Sequence, residues 1–157
     1  MGYAEGVAPL TSFNYGKRDT HALRGILRRS LTLIATFSLF TTALSILIAA
    51  PITGIFTAAD THVYELAVHG FRIHATAFLF LGFSMYGSSL FTALGDGRTS
   101  ALLSVWDTLI CLLGFLLLLP HVFGVDGVFM ATPAADFLGA SLTFLLLWHK
   151  RKKYGYW

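Results

Sequence analysis

From Ser30 to Ala59 the chain carries no charged side chain. Where water is excluded, backbone N–H and C=O groups must be satisfied internally, and a helix does so within its own segment. About 20 apolar residues in a helix cross a hydrocarbon core of about 30 Å, so this run predicts a membrane-spanning helix, placed at residues 30–50. Three further runs meet the same length. The second is expected over 73–94, interrupted only by His74. The third, over 100–119, contains Asp107, and the fourth, over 127–148, contains Asp136. Their lengths and the lack of period-2 alternation exclude a barrel. The expected fold class is an all-α integral membrane protein with four transmembrane helices.

Composition agrees. Of 157 residues, 12% are charged and 55% hydrophobic, whereas soluble domains carry about 25% charged residues. A soluble enzyme, a disordered chain and a coiled coil are therefore excluded. The single Cys111 rules out a disulfide framework, and no Cys/His spacing matches a zinc site. Gly95-Asp96-Gly97 lacks the strand and fingerprint of a nucleotide loop, and no nucleophile–base pair stands out. Neither enzymatic activity nor a cofactor or metal site is expected. The net charge of +3 comes from basic residues beside the hydrophobic runs, which points to a membrane surface and away from nucleic acid.

Those basic residues also set direction, because cytoplasmic loops collect Lys and Arg. With four crossings, all of the 11 except Arg72 fall on one side: Lys17, Arg18, Arg24, Arg28 and Arg29, then Arg98, then Lys150, Arg151, Lys152 and Lys153. Arg72 shares the other side with Asp60, Glu65 and Asp126. The expectation is a multi-pass protein of the cell membrane with both termini cytoplasmic. Residues 1–29 read as a helix remnant and a basic loop, 30–148 as the four-helix region, and 149–157 as a basic tail. Pro51 and Pro120 are expected to end the first and third helices, and Gly95-Asp96-Gly97 to form a tight turn. Pro133 is expected to loosen the fourth helix. The first sixteen residues lack the basic start and apolar stretch of a signal peptide, and read as the tail end of a helix.

Two carboxylates fall inside spans. Asp136, about nine residues into its helix, lies near mid-membrane at about 1.5 Å per residue. Asp107, about seven residues from its cytoplasmic start, is expected to be shallower. An Asp at a helix centre is unfavourable by about 2.5–3.5 kcal/mol, so each should face a cavity or a partner. Each is either a proton or cation site, or a carboxylate satisfied by a neighbouring hydroxyl, Thr132 or Thr108. His74 reads first as an interfacial residue and second as a proton relay; His62, His69 and His121 could join a loose pH-sensitive group. Met85 and Tyr86, among Phe71, Phe78, Phe80, Phe83 and Phe91, suit flat lipophilic cations. Ala131, Ala135 and Gly139, and Ser84, Gly87 and Ser88, read as small-residue packing faces.

Two stretches together resemble the MATE (multidrug and toxic compound extrusion) transporter family. One is Ala8-Pro9-Leu10-Thr11-Ser12-Phe13-Asn14-Tyr15-Gly16, followed by a basic run. The other runs from Phe56-Thr57 through Phe80-Leu81-Gly82-Phe83, Thr92-Ala93-Leu94-Gly95 and Leu118-Leu119-Pro120 to Phe123-Gly124-Val125-Asp126-Gly127-Val128-Phe129. The family has twelve helices in two lobes of six. The resemblance implies that this chain is a C-terminal fragment: the last four helices, part of the C-lobe, preceded by the tail of the eighth. It also implies export of small cationic amphiphilic compounds in exchange for H+ or Na+, in a lipid bilayer, and inactivity without the remaining helices. Asp136 falls where many members carry an acidic residue in the last helix. Asp107 stands where the family often has Arg, and Gly114 where it commonly has Pro. Asp136, Asp107, His74, Met85 and Tyr86 are the candidate substrate or coupling-ion residues. The alternatives are a non-transporting four-helix membrane scaffold or regulatory subunit, and a compact transporter working as a homo-oligomer.

Overall fold

Residues 2–56 and 61–156 are described in the computed structural model, and among them every regular element is a helix. Asp60 lies outside the described residues. A short α1 (Gly2–Gly16) leads through a turn into α2 (Thr20–Phe56), a helix of 37 residues. At about 1.5 Å per residue α2 far exceeds the hydrocarbon thickness, so the stretch expected as a basic loop is helical from Thr20 onward. Asp19 starts it, its carboxylate accepting from the Ala22 N–H at 2.9 Å.

Pro51 does not end this helix; it sits inside it, five residues before Phe56. Around the proline the Thr53 hydroxyl donates to the Ala49 carbonyl at 2.7 Å and the Tyr64 hydroxyl to that of Ala50 at 3.2 Å. Pro120 likewise lies within a helix, which runs on to Phe123 and stops at Gly124, where φ is 60°. Pro133 is carried inside the 30-residue α7 (Val125–Tyr154).

The second span is not one helix over 73–94. It consists of α3 (His62–Ala75) and α4 (Phe78–Ala93), bent by 42°. At the break the Thr76 hydroxyl donates to the Ile73 carbonyl at 2.7 Å, while the Thr76 and Ala77 N–H groups bond three residues back. A hydroxyl competing for the backbone, with the turn tightened around it, is what interrupts the ladder. The third span joins α5 (Gly97–Val105), a π-helical stretch (Trp106–Leu112) and α6 (Leu113–Phe123). α2, the third span and α7 are each long and apolar enough to cross a membrane, and the bent pair supplies the fourth crossing.

Packing is inverted relative to a soluble protein. The buried stripe of α2 within the span is Ser30, Ile34, Ser38, Thr42, Ser45, Ala49 and Thr53, whereas Phe37, Phe40 and Leu47 are 62%, 63% and 76% exposed. Lipid is as apolar as Leu, so small side chains that allow close approach go inward and large apolar ones outward. α7 is the central helix, burying Ala131, Ala135, Gly139, Ala140 and Thr143 as its small-residue spacing predicts. α6, with no buried residue, lies on the outside. Larger side chains close the end near both termini, where Leu23, Leu27, Phe91, Leu147, Tyr154 and Tyr156 form the core.

Candidate functional site

The π-helical turn of the third span carries Asp107. One extra residue per turn re-aims the side chains of such a segment, and π turns recur at functional sites. Asp107 faces α4, where the Ser84 hydroxyl donates to its Oδ2 at 2.8 Å, and α7, where Gly139 lies against it. A Cβ added at Gly139 would overlap both the Asp107 carboxylate and the Ser84 hydroxyl. Only glycine lets these three helices meet here.

Asp136 lies three residues before Gly139 on α7, buried to 5% exposure. Its Oδ2 and the Oδ1 of Asp107 are both buried without a hydrogen-bond partner, and the two carboxylates are close enough to feel each other's charge. Neither Thr132 nor Thr108 supplies the expected donor. Adjacent helical residues do not face each other, so Asp107 takes its donor from a different helix. Asp107 lies ten residues, about 15 Å, along the third span from Gly97, level with Gly139 rather than with Asp136 on α7.

Beside Asp107 a cavity of about 360 Å³ opens between α1, α4 and the third span. Its lining includes two carboxylates, Glu5 and Asp107, the hydroxyls of Ser84, Ser88, Ser89, Thr92, Ser104 and Thr108, and Met85, with no basic residue among the described ones. The hydroxyls are linked: Ser88 bonds Ser100 at 2.9 Å and Ser104 at 3.1 Å, and Thr92 donates to Ser100 at 2.7 Å. Such a wall offers oxygen ligands and negative charge, the chemistry that hard cations and organic cations accept.

Of the five candidate residues, Asp107 and Met85 line this cavity and Asp136 lies behind it. Tyr86 is buried elsewhere, near Ser30, whose hydroxyl is shared with Tyr3 at 2.9 Å. His74 is exposed in the last turn of α3, at the bend, and does not reach the cavity. The histidines form no single group: His69 pairs with Asp126 at 3.3 Å, and His121 engages the Leu117 carbonyl at 2.7 Å. The aromatic side chains of α4 serve mainly to pack on α7, with Phe80 edge-on to Phe137 at 5.2 Å and Phe83 against Phe144 at 5.4 Å. No group of three His, Cys, Asp or Glu side chains that could hold a metal ion occurs among the described residues.

Sequence reasoning missed Glu5 and the hydroxyl wall. The signal was present: Ser84, Ser88 and Thr92 recur every four residues, and so do Ser100, Ser104 and Thr108. Two such stripes on consecutive helices joined by a tight turn meet face to face. It also missed the cluster on that turn, where Asp96 accepts from Lys150 and from Tyr154, each at 2.6 Å, and caps α5 through the Thr99 N–H at 3.2 Å. Lys150 also bonds the Thr99 hydroxyl. The Lys150 ammonium, and then the Tyr154 hydroxyl, hold the Asp96 carboxyl well below the usual carboxylate range.

Four crossings with a broken second span define a multi-pass helical membrane protein. The chain belongs to the MatE family, whose model matches residues 1–118. Its fold is similar to a solved structure described as the outward-facing conformation of a multidrug resistance MATE family transporter of the MOP superfamily, with a TM-score of 0.86 and 21% identity. It is similar also to the Vibrio cholerae MATE transporter VcmN in its bent form, with a TM-score of 0.86 and 19% identity. The likeness covers 97% and 96% of this chain, but 34% of each of those chains. The chain thus spans about a third of the length of the structures it matches. A search among curated proteins gave no match.

Proposed function

We propose that this chain works as one part of a multidrug efflux antiporter of the cell membrane, with both termini in the cytoplasm. Joined by the remaining helices of the transporter, it takes part in exporting cationic amphiphilic compounds in exchange for H+ or Na+. The observation that carries this reading is the Asp107–Asp136 pair beside a cavity that has two carboxylates and no basic side chain in its lining. Buried carboxylates left without partners cost stability, and that cost is offset when a cation or a proton neutralises one of them. Exchange follows if the two kinds of cation compete for the same negative charge. Met85 adds a soft, adaptable wall for the apolar part of a substrate. The alternating movement itself needs two halves rocking about a shared site, which places the rest of the cycle in helices beyond these.

The test is drug resistance from the native locus, comparing Asp107→Asn and Asp136→Asn with the parent at matched membrane abundance. Loss of resistance in both supports the proposal, and the same variants in vesicles under separate proton and sodium gradients identify the coupling ion. Full resistance in both overturns it in favour of the non-transporting four-helix scaffold. Blotting a tag placed after Trp157 gives the mass of the native product and shows which helices accompany these.

A further inference from the structure

The tight turn between α4 and α5 sets two helices side by side, with hydroxyls at matching heights. Starting from the turn, Thr92 donates to Ser100 at 2.7 Å, Ser88 bonds Ser100 at 2.9 Å and Ser104 at 3.1 Å, and Ser84 donates to Asp107. Spacings of four residues on α4, and of four and then three on the third span, keep each set on one helix face. The row begins at Ser100, one turn from Gly97. It ends at Asp107, seven residues or about 10 Å further along the third span.

Hydroxyls can join membrane helices for packing alone. Three features ask more of this row. Ser84, Ser88, Thr92 and Ser104 line the cavity beside Asp107 instead of being sealed between the helices. In the bonds of Ser88 to Ser100 and to Ser104, either oxygen can donate, so the sense of the row reverses without moving a heavy atom. The widest step, from Ser84 to Ser88, is about 6 Å along the helix, the length of two O–H···O bonds of about 2.8 Å each. One water molecule bridges such a step. The cavity holds about 360 Å³, against about 30 Å³ for a water in the liquid.

We propose that this row of hydroxyls carries the coupling proton between Asp107 and the end of the bundle at the Gly95-Asp96-Gly97 turn. The inference rests on the proposed function, which puts that end in the cytoplasm and Asp107 at the coupling site. A proton leaving the Asp107 carboxyl breaks its O–H bond and joins a water in the cavity. That water hands one of its own protons to the next oxygen, and the exchange repeats through Ser104, Ser88, Ser100 and Thr92. Each oxygen receives one proton as it gives up another. The end state is a carboxylate at Asp107 and a proton in bulk water at the turn. A metal cation would want several oxygens around one point, whereas these stand one behind another.

The whole transporter in proteoliposomes tests this, with ethidium as the exported cation, an internal pH dye for proton movement and fluorescence polarisation for ethidium binding. Ser88→Ala with Ser104→Ala should slow ethidium-coupled proton movement about thirtyfold, through the loss of two hydroxyl hydrogen bonds to the row. Ethidium binding should stay at the parent's level. Ser88→Thr with Ser104→Thr keeps the hydroxyls and should restore most of the rate. Ser141→Ala, whose hydroxyl bonds its own helix at Phe137, should change nothing. The solvent deuterium isotope effect should grow in the alanine pair, because proton passage then limits the cycle; a packing role would leave it unchanged. The inference is overturned if the alanine pair moves protons at the parent's rate, or if binding falls as far as rate and threonine restores neither. It is overturned also if the parent exchanges ethidium without moving protons, an outcome that leaves the proposed function standing on sodium. Full exchange in Asp107→Asn instead removes the proposed function, and this inference with it.

Discussion

The Ser84 hydroxyl donates to Asp107 Oδ2 at 2.8 Å, joining α4 to the π-helical turn of the third span. In the same carboxylate pair, Asp107 Oδ1 and Asp136 Oδ2 are buried without a hydrogen-bond partner. Ser84 thus holds Oδ2 from the side of α4, while Oδ1 is buried against Gly139 of α7.

Ser84→Ala is expected to destabilise the protein by about 1 kcal/mol, the lower end for stripping a partly buried charged group of its donor. In an Asp107→Asn background the same change should cost measurably less, since the group that needed the donor has lost its charge. Thermal unfolding of the four proteins of this cycle, in one detergent, gives the coupling directly. Additive losses would mean that the hydroxyl and the carboxylate act independently.

Gly139 is the close-approach point of the site. Gly139→Ala should destabilise by about 1–3 kcal/mol, as overpacking does where neighbours are fixed, because the added methyl overlaps Asp107 and Ser84. Gly114→Ala is the matched control on the third span, where an added Cβ meets nothing within 4 Å. Its midpoint should equal the parent's or rise slightly, given the better helix propensity of alanine. Equal losses at both positions would remove the steric account.

How much of this was legible follows from which forces act locally. The four crossings and the side that collects Lys and Arg depend on run length and charge, which a single chain displays. The ends of the helices do not. Pro51 and Pro120 would stop a helix in water, yet in this apolar bundle α2 runs on to Phe56 and the third span to Phe123. The break at Thr76 was invisible for a related reason: a threonine in an apolar run looks like any other until its hydroxyl chooses the Ile73 carbonyl. Asp107 and Asp136 stood out because charge in a membrane is costly. Their partners did not, because Ser84 lies 23 residues from Asp107 in sequence and only helix packing brings it there.

At the turn between α4 and α5, Asp96 gives a pH signature. Its carboxyl is held below the usual range by Lys150 first and Tyr154 second. A depressed folded-state value means that the stabilisation is fully present above the unfolded value, about pH 4, and is lost as pH falls through the lower folded value. Asp96→Asn keeps a good N-cap for α5 and removes the charge together with the oxygen that accepts from Lys150 and Tyr154. It should lower stability by about 1 kcal/mol at pH 7, and the gap from the parent should close progressively below about pH 4. Midpoints measured from pH 7 to pH 3 check this; a gap that stays constant would show that the ion pair contributes nothing.

The sharpest separation of fold from function falls on Asp136. The residue is 5% exposed, has an unpartnered Oδ2 and lies within reach of the Asp107 charge, so burial of its charge is not repaid at that oxygen. Asn at that position keeps the volume and removes the repulsion. Asp136→Asn should therefore hold or raise thermal stability, by up to about 2 kcal/mol as relief of a strained functional site does, while transport is lost. A buried carboxylate kept for the fold would behave the opposite way, with stability falling and transport surviving in whatever protein remains folded. Measuring both quantities on the same purified variant tells the two apart, since only a site residue can make the protein sturdier and idle at once.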